Sequence, residues 1–135
     1  MAPILSYEIG WCQYLFVGMA LRREYCIIHY MKSIFKEINC DIFNGELEMP
    51  IFSAYEYDAY GAYSFCYNQD YININIDLCI SYDIIFATIA HEMCHMAQYH
   101  IQGKRWSRLK YHGLDFTKEA KKVSKFYNIP LENIL

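Results

Sequence analysis

No Cys-x-x-Cys pair occurs in this chain: its six cysteines stand apart at positions 12, 26, 40, 66, 79 and 94. That spacing excludes a cysteine zinc ribbon, and thiols scattered through apolar stretches behave as small buried hydrophobes, here expected to be reduced. Basic charge is also in short supply. The 135 residues carry a formal charge of -3, so the molecule has no general attraction to a polyanion and any nucleic-acid contact requires a local patch. Neither a membrane span nor a secretory signal is expected. The apolar segment from Ile4 to Leu21 is interrupted by Glu8 and Gln13 and has no basic residue ahead of Arg22, which fits a buried helix and a cytoplasmic protein. Internal repeats, low-complexity tracts and linkers are absent as well.

What is present is apolar and aromatic. Hydrophobic residues make up 55% of the chain and charged ones 20%, with 14 Tyr and 8 Phe, the composition of a folded globule of about one domain, residues 1–135. The expected fold class is α+β. From Tyr7 to Asn39 apolar residues recur at three- and four-residue steps, interrupted by glycine only at Gly10 and Gly18, which predicts one long or two short N-terminal helices. Asn44-Gly45 closes this part with turn chemistry, and Pro50 opens an extended region. Ile51 to Tyr57, the alternation of Tyr63, Phe65 and Tyr67, and the strict Ile/Asn alternation from Tyr71 to Ile76 predict a small, mostly antiparallel sheet of three strands. Asn68-Gln69-Asp70 is the expected turn, and the Ile/Asn strand is expected to be half-buried. Ser81 is suited to cap a following helix with Asp83 in its first turn and Ile84, Ile85, Ile89, Met93 and Met96 at helical spacing. Gly103 is expected to end it. A polar connector leads to a last helix over Asp115 to Tyr127, with Phe116, Ala120, Val123 and Phe126 or Tyr127 inward.

The chemistry concentrates in His91-Glu92-Met93-Cys94-His95. On a helix, two histidines four residues apart project from one face and can share a metal ion; as a strand they would lie about 13 Å apart. His-Glu-x-x-His is the pattern in which the histidines ligate Zn²⁺ and the glutamate acts as general base toward a zinc-bound water. Catalytic zinc needs a third protein ligand. His100 falls five residues after His95 and points off the ligand face, while Glu119 and Asp115 are carboxylate candidates on the last helix. His112 is preferred, because it precedes Gly113 at the start of that helix, where a turn can bring its ring back across the groove. Tyr99 and Tyr111 are candidate oxyanion donors, more often packing residues. Cys94 points off the ligand face, and the lone His29 reads as a packing or surface residue.

Ordered pieces of the chain resemble a known family, the SprT-like zinc metallopeptidases, which include the Spartan proteases acting on DNA-protein crosslinks. Phe43-Asn44-Gly45-Glu46-Leu47 is similar to the family's Asn-Gly-x-Leu turn, Tyr60-Gly61-Ala62 falls at its small-residue turn, and Ile72-Asn73-Ile74-Asn75 resembles its Ile-x-Leu-Asn strand. His91-Glu92-Met93-Cys94-His95 and then His112-Gly113-Leu114-Asp115-Phe116 resemble its two histidine elements. The similarity covers about residues 20–128 and implies a minimal zincin-like fold, with His91, His95 and His112 holding one Zn²⁺ and Glu92 as catalytic base. It further implies a zinc endopeptidase acting on protein substrates, including ones bound to nucleic acid. A binding protein that uses the same fold and metal without hydrolysis is the alternative, though it would not require Glu92. Several family members carry a cysteine ribbon or DNA-binding tail, and neither is expected within residues 1–135. The candidate nucleic-acid contact is instead the patch Lys104, Arg105, Trp106, Arg108 and Lys110; a solvated connector explains those charges equally well.

Overall fold

The computed structural model describes residues 20–54, 58–103 and 112–135, with side chains described from Tyr25 onward. Its elements are helix α1 (Ala20–Phe43), strands β1 (Ile51–Ser53), β2 (Gly61–Cys66) and β3 (Gln69–Ile74), helix α2 (Tyr82–His100), helix α3 (Leu114–Tyr127) and a 3₁₀ turn at Leu131–Asn133. The basic patch 104–110, Tyr111, and the chain before Ala20 lie outside the described residues. So does the second half of the expected first strand, 55–57.

α1 buries Tyr30, Met31, Ile34, Phe35 and Ile38, a stripe at three- and four-residue steps. Asn44 and Gly45, both at positive φ, turn the chain out of the helix. The Asn39 side chain then fixes the loop from both directions, donating to the Leu47 carbonyl at 2.8 Å and accepting from its N–H at 3.1 Å.

The fold is α+β, as expected, and the sheet, of order β1-β3-β2, is mixed rather than purely antiparallel: β1 runs parallel to β3, and β2 antiparallel to it. The hairpin turn sits one residue earlier than its sequence suggests. Tyr67 and Asn68 both have positive φ, as the two central residues of a type I′ turn require, so Gln69 and Asp70 join β3. The half-buried reading of β3 is also corrected. Asn73 and Asn75 are buried along with Ile72 and Ile74, because each asparagine has a polar partner: Ser53 Oγ donates to Asn73 Oδ1 at 2.8 Å, and Asn75 Oδ1 accepts from the Asp77 N–H at 3.0 Å.

α2 starts at Ser81, whose hydroxyl accepts from the Ile84 N–H at 3.3 Å, with Asp83 in the first turn. From Phe86 to Gln98 every residue except His91 is buried, which makes α2 the central rod of the structure, between the sheet on one side and α1 and α3 on the other. Gly103 (φ 65) lies just past its end. α3 buries Phe116, Ala120 and Val123 and closes on Asn128 in the left-handed conformation; Tyr127 is partly buried and Phe126 faces out. Ile134, just after the 3₁₀ turn, is fully buried.

Cys40, Cys66, Cys79 and Cys94 are free, as expected, but Cys26 is disulfide-bonded, which corrects the expectation of a fully reduced set. Among the described residues no helix is long and apolar enough to cross a membrane.

Candidate metal centre

His91 and His95 lie one helical turn apart on α2, and their ring centroids are 5.0 Å apart. His112, two residues before the start of α3, closes a triangle: its ring is 5.0 Å from each of the other two. One turn into α3, Phe116 is fully buried and touches all three rings at centroid distances of 4.9, 4.6 and 4.8 Å, forming an apolar floor beneath them. A nitrogen from each histidine falls within 4.8 Å of the other two, the arrangement a single metal ion needs.

The rings are held by their far nitrogens. Nδ1 of His91 lies 2.6 Å from the Ile134 carbonyl, and Nδ1 of His95 lies 3.2 Å from Oε1 of Gln98. Both partners are acceptors, so each Nδ1 carries the proton and donates, which makes Nε2 the ring nitrogen whose lone pair can ligate a cation. Nε2 of His91 and Nε2 of His112 are 3.2 Å apart. Two nitrogens bound to one tetrahedral zinc at the usual Zn–N length would be separated by about 3.3 Å, so the donor set fits that ion. The electrostatics agree. Burial, reinforced by neighbouring imidazoles, pushes the pKa of His91 down and that of His95 down to about 3, so both are neutral at physiological pH, the form in which histidine ligates.

Glu92 projects toward the sheet, 4% exposed. Burial pushes its pKa up to about 8, while the N–H of Tyr63 on β2 donates to the carboxylate and pulls the other way. Helix and strand approach closely here. A Cβ at Gly61 would lie 2.6 Å from Cγ2 of Thr88 and 2.9 Å from Oε1 of Glu92, so only glycine fits without a shift. Tyr63 is itself anchored: its hydroxyl donates to Asp70 Oδ1 at 2.5 Å, and His100 Nε2 sits 2.7 Å from the same oxygen.

That contact places His100 away from the trio, with its partners on β2 and β3. Glu119 is turned aside as well: its carboxylate accepts from Lys122 at 3.1 Å and from Gln102 at 2.9 Å. Asp115 and Glu119 are not part of the metal-competent group found among the described residues. Cys94 is fully buried off the ligand face, and burial pushes its thiol well above its ordinary range. Tyr99 packs against Phe65 with ring centroids 4.8 Å apart. His29 is exposed. Sequence reasoning did not anticipate the Ile134 carbonyl, the Tyr63 N–H or the Gly61 contact; Gln98, three residues beyond His95 on the same helix, is the one tether that spacing could have suggested.

The SprT-like family model matches residues 31–133 of the chain. No curated protein and no solved structure matches it.

Proposed function

The chain belongs to the SprT-like family, and from that premise we propose that it is a zinc-dependent endopeptidase hydrolysing peptide bonds of protein substrates. The observation that carries this reading is the convergence of three imidazoles beside one buried carboxylate that sits on a backbone N–H. In it, His91, His95 and His112 hold the metal. Zinc bound there would supply a Lewis acid for the scissile carbonyl and lower the pKa of water toward neutrality.

Glu92 is the proton carrier. Its carboxylate takes the proton of the attacking water and returns it to the leaving amine, a task that favours a pKa near the working pH and a fixed position. The Tyr63 N–H and the close wall at Gly61 fix that position. Ile134 and Gln98 hold the tautomers that keep Nε2 of His91 and His95 available.

The test uses zinc-loaded protein and a flexible protein substrate, with and without chelator. Glu92→Gln is expected to keep its zinc and lose activity by about 10²–10⁴-fold. His112→Ala is expected to bind zinc more weakly by elemental analysis after dialysis. Zinc content equal to wild type in His112→Ala removes the ligand assignment. A folded, fully zinc-occupied wild type that turns over nothing favours a binding protein over a hydrolase.

A further inference from the structure

A cavity of about 970 Å³ opens directly beside His91 and Glu92 and runs along the first two turns of α2. Tyr60 and Gly61 bound it on one side and the segment from Tyr127 to Leu135 on the other. Its volume lies at the upper end of what ligand pockets offer, enough for a bulky side chain and its neighbour. One wall is a run of aromatic rings packed edge to face or tilted: Tyr82 on Phe86 at 5.8 Å and Phe86 on Tyr127 at 4.9 Å. Such a row favours another aromatic or large aliphatic group at its open end. The small side chain of Ala87 leaves room beside it. Among the described residues the charged lining is one-sided: besides Glu92 it contains the exposed carboxylates Asp83 and Glu132, and none of the described lining residues is Lys or Arg.

We infer that this cavity is the specificity-determining subsite of the protein, selecting peptides with a large aromatic or aliphatic side chain next to the scissile bond and a Lys or Arg beside that residue. The inference rests on the peptidase reading above for its placement, since an occupant in contact with His91 and Glu92 lies adjacent to the reacting bond. The aromatic wall selects the apolar side chain by burial and ring packing. Asp83 and Glu132 at the rim attract the basic neighbour, an effect that weakens with salt because both are exposed.

Binding separates this inference from hydrolysis. Fluorescent flexible peptides carrying a single Phe-Lys, Ala-Lys or Phe-Glu pair in an otherwise Gly/Ser context are titrated against zinc-loaded Glu92→Gln protein, and wild-type cleavage sites are mapped by mass spectrometry. The Phe-Lys peptide is expected to bind roughly tenfold or more tighter than the Ala-Lys peptide, and to be cut with Phe at one fixed position from the broken bond. Ala87→Phe, which fills the cavity, should erase the Phe preference. The surface pair Asp83→Lys and Glu132→Lys should reverse the preference for Lys over Glu without touching the core. Equal binding of the Phe and Ala peptides overturns the subsite, even if both are hydrolysed. Selective binding by Glu92→Gln with no turnover by wild type keeps the subsite and removes the hydrolase reading.

Discussion

Glu92 is a carboxyl kept out of water, and in the metal-free protein that has a measurable consequence. Its pKa of about 8, against an ordinary value of 4.5, means that between those two pH values the native chain holds a proton that the unfolded chain has released. Stability from this group is therefore full below about pH 4.5 and is lost as pH rises toward 8. Glu92→Gln is neutral throughout and lacks this slope. His95, with its pKa depressed to about 3, acts in the opposite sense below pH 6.5, but equally in both proteins. With chelator present, the melting temperatures of wild type and Glu92→Gln are expected to coincide near pH 4.5 and to separate, the variant higher by several degrees, at pH 8. Parallel curves across that range would contradict the desolvated carboxyl. This residue was legible because His-Glu-x-x-His needs nothing beyond the pitch of one helix to bring its side chains together. The Tyr63 N–H was not, since a backbone donor leaves no trace in residue identity.

At the scale of elements, Ser81 and the apolar spacing placed α2, and the Ile/Asn alternation placed β3. Pairing direction was hidden, because period two reports which face a residue takes, not which strand lies beside it or how it runs. Burial of Asn73 and Asn75 was hidden for a related reason: the Ser53 hydroxyl and the turn after β3, which satisfy them, are supplied by tertiary structure. The hairpin turn was misplaced because Tyr67, an aromatic residue at positive φ, is an unusual choice for that position. The approach of β2 to α2 through Gly61 makes its own prediction. Gly61→Ala drives a methyl into Cγ2 of Thr88, whose hydroxyl is tied to the Ile84 carbonyl at 2.7 Å, and into Glu92. Peptidase activity is expected to fall by about ten- to a hundredfold with zinc content unchanged, because the carboxylate is displaced while the histidines are not. Thr88→Ser removes Cγ2 and keeps the hydroxyl, which lets the methyl shift away from Glu92, so the double variant should regain part of the loss. An unimpaired Gly61→Ala, or a double variant no better than the single one, would show that this contact does not set the geometry.

Across the whole molecule, the metal centre draws on both ends of the segment that follows the sheet. His91 and His95 lie midway along the central helix, His112 enters with α3, and the Ile134 carbonyl reaches back 43 residues in sequence to hold Nδ1 of His91 at 2.6 Å. Ile134 is fully buried, so side-chain packing and the backbone tether reinforce each other. Orienting a ligand through its second nitrogen typically governs metal affinity by about 10–100-fold. Deleting 131–135 removes both the acceptor and the apolar anchor, and is expected to weaken zinc binding by about that factor in a competition titration against a chromophoric chelator. Ile134→Ala separates the two contributions: it keeps the carbonyl, and should cost about 2–5 kcal/mol of stability through the cavity it leaves, while zinc affinity stays near wild type under conditions where circular dichroism reports a folded chain. Were the truncated and full-length proteins to bind zinc equally, the His91 ring would be set by α2 and Phe116 alone, and the closing segment would contribute only a wall of the adjoining cavity.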